Sequence, residues 1–175
     1  MTFLKTLCSF AVLIALAGCS DRSEGDSVFR HLSILSDHQI AVHAPDRADA
    51  TITATGDLVI AGKPVTLDAV QQQLAIRYFT SAVALRNDAI TTGAAGIATA
   101  QQAISSVASG LASGDPDRIG DQVDASAAKV DAAANRVCAD LQSLVSAQNG
   151  LLQTLPQFLP YASIQAKEVT DCRTN

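Results

Sequence analysis

The sequence predicts an α+β chain, a small antiparallel β-meander followed by a long antiparallel α-helical hairpin. Three observations carry that reading. Over residues 38–61 apolar and polar residues alternate in short runs separated by Gly, Pro and Asp, the period of half-buried strands joined by tight turns. Beyond residue 80 the period becomes seven, first at Val83, Ile90, Ile97, Ile104 and Leu111, then at Val123, Val130, Val137, Leu144 and Leu151. Between the two helical runs stands Gly114-Asp115-Pro116, a helix stop followed by an N-cap and a first-turn proline.

The meander is expected over 28–67. Val28–Leu35 reads as the first strand. In His38–His43, Ile40 and Val42 share one side and Gln39 and Ala41 the other. Pro45-Asp46 turns the chain. Ala50–Thr55 alternates again, Gly56-Asp57 turns, Leu58–Ile60 follows, and Gly62-Lys63-Pro64 turns before Val65 and Leu67. So small a sheet needs a packing partner. Asp68 with Gln71 forms a D-x-x-Q capping signal that opens the first helix. Ala100 and Val107 give that helix the second line of an apolar seam. Asn87, Thr91-Thr92, Gly93 and Gly96 weaken its middle, so a kink or break is expected near 87–93. In the second helix Ala127, Ala134 and Leu141 supply the companion line. Gly150 loosens its end, and Pro156 and Pro160 stop it. Leu155, Phe158, Leu159 and Tyr161 are expected to fold back on the base. The polar tail 162–175 is expected to be held only through Cys172.

The N-terminus carries an address. A positive start at Lys5 precedes an apolar run to Leu16, and Ala17-Gly18-Cys19 closes it. The run is about half the roughly 20 residues that a spanning helix needs. Its A-G-C end resembles the cleavage site of bacterial lipoproteins. The resemblance implies a signal peptide over 1–18, cut between Gly18 and Cys19. It also implies diacylglycerol and an N-acyl chain (palmitate) on Cys19, two or more chains being enough for stable anchoring. Residue 20 is Ser, not Asp, which by the same resemblance favours the outer membrane, facing the periplasm, over the inner membrane. Residues 19–27, polar after Cys19, read as a tether, and 28–175 as one domain.

Composition excludes several classes. The 175 residues hold 12 Lys+Arg against 17 Asp+Glu, a formal charge of −5, which argues against nucleic acid and anionic headgroups as partners. Of the four cysteines, Cys8 leaves with the signal and Cys19 takes lipid. Cys138 and Cys172 remain and, in an oxidising compartment, are expected to form a disulfide. They are 34 residues apart, a loop whose closure is worth about 3.5–4 kcal/mol in the chain-entropy account.

The run GDLVIAGKPVTLDAVQQQLAIRYF resembles the G-x-L-x-I-x-G-x-x-V-x-L-…-Q signature of the YggN-like bacterial envelope proteins. Gly56, Leu58, Ile60, Gly62, Val65, Leu67, Gln71 or Gln72, and Tyr78 carry it, and it is strongest over about 50–85. The resemblance implies a short β region feeding a long alanine-rich helical region in the cell envelope. It implies no catalytic residue.

Chemistry-bearing clusters are few. His31, His38 and His43 lie near Asp37 and Asp46, but their spacings match no metal motif, and His38 and His43 face opposite sides of a strand. Asp115, Asp117, Asp121 and Asp124 are accounted for by the cap, the helix dipole and a solvated face. There is no G-x-S-x-G elbow and no histidine after residue 43, so Ser-His-Asp chemistry would need a β-region histidine to meet a helical serine. The G-A-A-G of 93–96 lies within a helix, where it cannot cradle a phosphate. No enzyme activity, cofactor or metal is expected. The sequence points to a non-catalytic envelope interaction or structural protein, held to the membrane by lipid on Cys19 and reaching an envelope protein or cell-wall partner. The alternative is a carrier of a lipidic small molecule, with the small residues Ala94–Ala103 lining an apolar cleft. Oligomeric state stays open.

Overall fold

The computed structural model describes residues 26–113 and 117–174; the signal peptide, Gly18, Cys19 and the Gly114-Asp115-Pro116 turn lie outside them. The chain order is helix α1 (Asp26–His31), strands β1 (Leu32–Ser36), β2 (Gln39–Val42), β3 (Ala50–Thr53), β4 (Leu58–Ile60) and β5 (Lys63–Val65), then the long helices α2 (Ala69–Ser113) and α3 (Asp117–Thr154), a 3₁₀ helix (Pro156–Tyr161) and α4 (Ala166–Thr174). An antiparallel sheet followed by long paired helices makes the chain α+β.

The five strands form a meander in sequence order, each antiparallel to the next. Its turns account for the glycines. Ala61 and Gly62 both adopt positive φ between Ile60 and Lys63, the requirement of a two-residue hairpin of the primed type. Lys63 and Pro64 therefore belong to β5, where the sequence reads a turn. Pro64 is tolerated because β5 is an edge strand. At Gly56 φ is +82°, and a Cβ there would stand 2.6 Å from the Gln72 carbonyl oxygen. The amide of Gln72 in turn donates to Thr55 O at 3.0 Å, which ties the start of α2 to this turn. Asp57 closes the same turn by accepting hydrogen bonds from Thr55 and Thr53, and these hold its carboxyl below the ordinary range.

α2 opens on a reciprocal capping box. The Gln71 N–H donates to Asp68 Oδ1 at 2.8 Å, and the Asp68 N–H donates to Gln71 Oε1 at 3.0 Å. From there the helix runs unbroken to Ser113, through the 87–93 segment where a break is expected. Packing against α3 outweighs the propensity cost of Gly93 and Gly96.

The core sits where the sheet meets the base of the hairpin. Ile40, Val42, Ile52 and Leu58 point inward from the strands onto Ala75, Tyr78, Phe79, Ala82 and Leu85 of α2 and onto Leu141, Leu144, Val145, Ala147 and Leu151 of α3. Each large side chain fully buried there contributes about 1.5–3 kcal/mol. α3 continues through Gly150 because that residue makes room for a neighbour: a Cβ would meet Leu74 Cδ2 at 2.6 Å. The apolar segment after α3 folds back as expected. Phe158 is fully buried and meets Tyr78 edge-on at 5.6 Å between ring centres, and the Tyr161 hydroxyl donates to Ala48 O at 2.6 Å. Leu159 instead faces outward. Buried Gln148 clamps the following chain, donating to Ile164 O at 2.7 Å and accepting from Ile164 N at 3.3 Å.

Several expectations are corrected. Residues 28–31 are helical, with Val28 buried under the sheet edge, so the first strand starts at Leu32. The polar tail is helix α4, packed on α3, with Val169 against the core and Lys167 bonded to Asp171 one turn on. The seven-residue line of α2 leaves the core after Val83: Ile90, Ile97 and Ile104 are 57%, 65% and 73% exposed and do not face α3. The half-buried face is instead Ala89, Thr92, Gly96, Thr99 and Ala103, small residues in the same 3.5-residue period but displaced around the helix. On α3 the line Val130, Val137, Leu144 and Leu151 does turn inward, and so does the expected companion Leu141, but Ala127 and Ala134 are exposed and their places are taken by Ser126 and Ala133.

Candidate functional site

Two surfaces stand out on this frame. The first is the outer face of the sheet, where the strand register assembles three polar residues. His43 follows β2 and Asp49 precedes β3, so they form the next cross-strand pair after Val42 and Ala50. Ser33 of β1 is diagonal to His43. The distances are 2.7 Å from Ser33 Oγ to His43 Nε2 and 2.8 Å from His43 Nδ1 to Asp49 Oδ1. An ionised carboxylate only accepts, so Nδ1 carries a proton, and in the neutral imidazole Nε2 then accepts from the Ser33 hydroxyl.

This is the connectivity of a serine nucleophile, its base and the base's orienting acid. Sequence reasoning misses it by looking for a helical serine; the partner is a strand serine, and the carboxylate is Asp49, not Asp37 or Asp46. The surroundings tie it into the sheet. The His43 N–H donates to His31 O at 2.8 Å, which makes Ser33 and Ala41 the next hydrogen-bonded pair of the ladder. The Ser33 amide is thus committed to Ala41 and does not face a developing oxyanion. Asp49 is 49% exposed, and water competes for the carboxylate that would orient the base. The relay fastens β1, β2 and β3 across their outer face. His38 is exposed at the β1–β2 turn, away from this cluster.

No protein-family model, curated protein or solved structure matches the chain.

The second surface is the distal half of the hairpin. Beyond Leu85 the sheet ends, and α2 and α3 pack on one another. At the neck Arg136 reaches Asp88 at 3.7 Å. Burial, and then the charge and hydrogen bond of Asp88, raise the Asp140 carboxyl above its ordinary range. Past this neck the outer side of α2 carries Ile90, Ile97 and Ile104 in one exposed line with Gly93, Ala94, Ala100 and Gln101 between them, all exposed. From Ala89 to Gly114 no residue carries a charge.

The other residues singled out by the sequence are placed as follows. Cys138 of α3 and Cys172 of α4 form a disulfide, with Cα atoms 5.7 Å apart. Asp124 is exposed, and among the described residues no group of three or more His, Cys, Asp or Glu is placed to hold a metal ion. Within Ala94–Ala103, Ala95, Gly96, Thr99 and Ala103 are half-buried on the α3 side and Ala94, Ala98 and Ala100 face outward, so the segment is divided between two faces. Among the described residues no helix is long and apolar enough to cross a membrane.

Proposed function

We propose that this chain is a lipid-anchored envelope protein facing the periplasm from the outer membrane, and that its hairpin is a non-catalytic interaction arm. The exposed isoleucine line of α2 carries the proposal. Three β-branched side chains, each more than half exposed, lie on one helix face, where water is a poor neighbour and another apolar surface a good one. The anchor on Cys19 follows from the lipobox, and the YggN-like resemblance agrees with an envelope location. The reading as a carrier of a lipidic molecule loses ground to the filled base: Tyr78, Phe158, Ile40, Ile52, Leu58, Leu144 and Leu151 are all fully buried between sheet and helices.

The test is in-cell photocrosslinking. A benzophenone amino acid takes the place of Ile97 in one variant and of Thr51, on the outer sheet face, in another. An arm that contacts a partner gives a covalent adduct from position 97 and none from position 51. A silent position 97 in the living envelope would end this reading. Cys19→Ala is expected to release the chain from the membrane fraction without changing its circular dichroism.

A further inference from the structure

The partner of the arm can be read from the chemistry of its outer face. This step rests on the interaction-arm reading above. We propose that the isoleucine line of α2 pairs with the same line of a second copy of this chain, α2 against α2, joining two hairpins into one four-helix arm.

Charge is the first argument. The chain carries a formal charge of −5, so two copies repel over most of their surfaces. The stretch from Ala89 to Gly114 holds no Asp, Glu, Lys, Arg or His, and there the repulsion is smallest. A charged partner finds no counter-charge on this face; an identical uncharged face needs none.

Shape is the second argument. Ile90, Ile97 and Ile104 form knobs about 10.5 Å apart along the helix, separated by the small residues Gly93-Ala94 and Ala100. A surface that interlocks with such a repeat has the same repeat, displaced by half its length. Isoleucine at one heptad position with small residues at the companion position permits close two-stranded packing. The hairpin leaves this seam unused because α3 occupies the face of Ala89, Thr92, Gly96, Thr99 and Ala103. A two-fold axis perpendicular to α2, about 2.6 Å along the helix from Ile97, gives that half-repeat displacement in an antiparallel pair, makes the contact isologous and closes it at two copies.

Area sets the strength. The line from Ile90 to Ile104 spans about 21 Å of helix. A single stripe of that length covers well under the roughly 800 Å² per partner of a standard interface, so the pairing is concentration-dependent, about micromolar or weaker.

The experiment uses two full-length copies bearing different affinity tags and produced in the same cells. A benzophenone amino acid replaces Ile97 in one copy. Irradiation is expected to give an adduct of twice the chain mass that carries both tags. Ile104→Glu in both copies places like charges on the seam and is expected to lower the adduct yield about tenfold or more, with unchanged circular dichroism because residue 104 is exposed. The same photoreactive group at position 102, on another side of α2, is expected to give little of it. An adduct from position 97 to a different protein overturns the self-pairing and leaves the interaction arm standing. No adduct from position 97 overturns both. A two-tag adduct of equal yield from positions 97 and 102, or one indifferent to Ile104→Glu, also overturns the proposal, since copies would then meet through another face.

Discussion

The two halves of the helical hairpin follow different packing rules although the same two helices build both. At the base α2 is sandwiched: the sheet covers one side, α3 another, and the 3₁₀ helix closes the end. Large side chains such as Tyr78, Phe79, Leu85, Leu144 and Leu151 fill the space. In the distal half, among the described residues, only α3 remains as a neighbour, and its seam with α2 is lined mainly by alanine, threonine, serine and glycine, with Val130 as the one larger apolar side chain past the neck. Two helices bury one stripe of each other and no more, so any further apolar stripe stays in water. The isoleucine line occupies that place. The base obtains its stability from layers, and the arm holds together by close approach of small residues with an apolar line left over. Local opening is accordingly expected to be easier in the arm than in the base.

The widest contrast is predicted for truncations. Phe158→Ala, which empties a fully buried aromatic site, is expected to cost about 3–5 kcal/mol in urea unfolding, whereas Ile97→Ala stays within about 0.5 kcal/mol. Comparable losses at the two sites would erase the distinction between base and arm. Next comes the bridge. Cys138→Ser combined with Cys172→Ser is expected to cost about 3 kcal/mol and to loosen α4, read as faster amide exchange over 166–174. An unchanged urea midpoint would mean that α4 docks without the covalent tie.

A smaller effect has the opposite sign. The Tyr78 hydroxyl is buried with no hydrogen-bond partner among the described residues, and burial pushes its phenol well above the ordinary range. Tyr78→Phe is expected to gain about 1 kcal/mol, and a loss of that size would reveal a partner for the hydroxyl. The smallest effect belongs to the neck. The Asp140 value is raised in the folded chain, so folding takes up a proton, and the stability this site contributes is present at low pH and lost as pH rises through that raised value. Asp140→Asn is expected to stabilise the chain by about 0.5 kcal/mol at neutral pH and by progressively less as pH falls below ~4, where the carboxyl becomes protonated in the unfolded chain as well. Melting temperatures at pH 3.5 and pH 7 compare the two; a gain of equal size at both would remove the charge explanation.

Much of the base is legible in the sequence. Alternation places Ile40, Val42 and Ile52 on the inner face of the strands, and the Asp68–Gln71 spacing marks the start of α2 within one residue. The arm is misread for a physical reason. Periodicity follows the largest apolar residues, and in α2 these are isoleucines, but the closest helix contact is made by the smallest residues, whose burial adds little hydrophobic signal. A seven-residue line shows that a face is apolar without showing what covers it. The Ser33–His43–Asp49 relay is hidden for another reason: its members are 10 and 6 residues apart, and only the strand register brings them together. α4 escapes notice because its sequence is polar and its place is set by one bridge and a few contacts on α3.

Among the described residues, the arm past the Asp88–Arg136 neck is bound to the rest of the molecule only through its own two helices, and this makes its length a separable quantity. Removing seven residues from each helix there would shorten the reach by about 10.5 Å and restore every side chain to its former side. The sheet, the bridge and the buried aromatics would be untouched. Reach is then a dimension that can change in steps of one heptad while the fold of the base stays as it is.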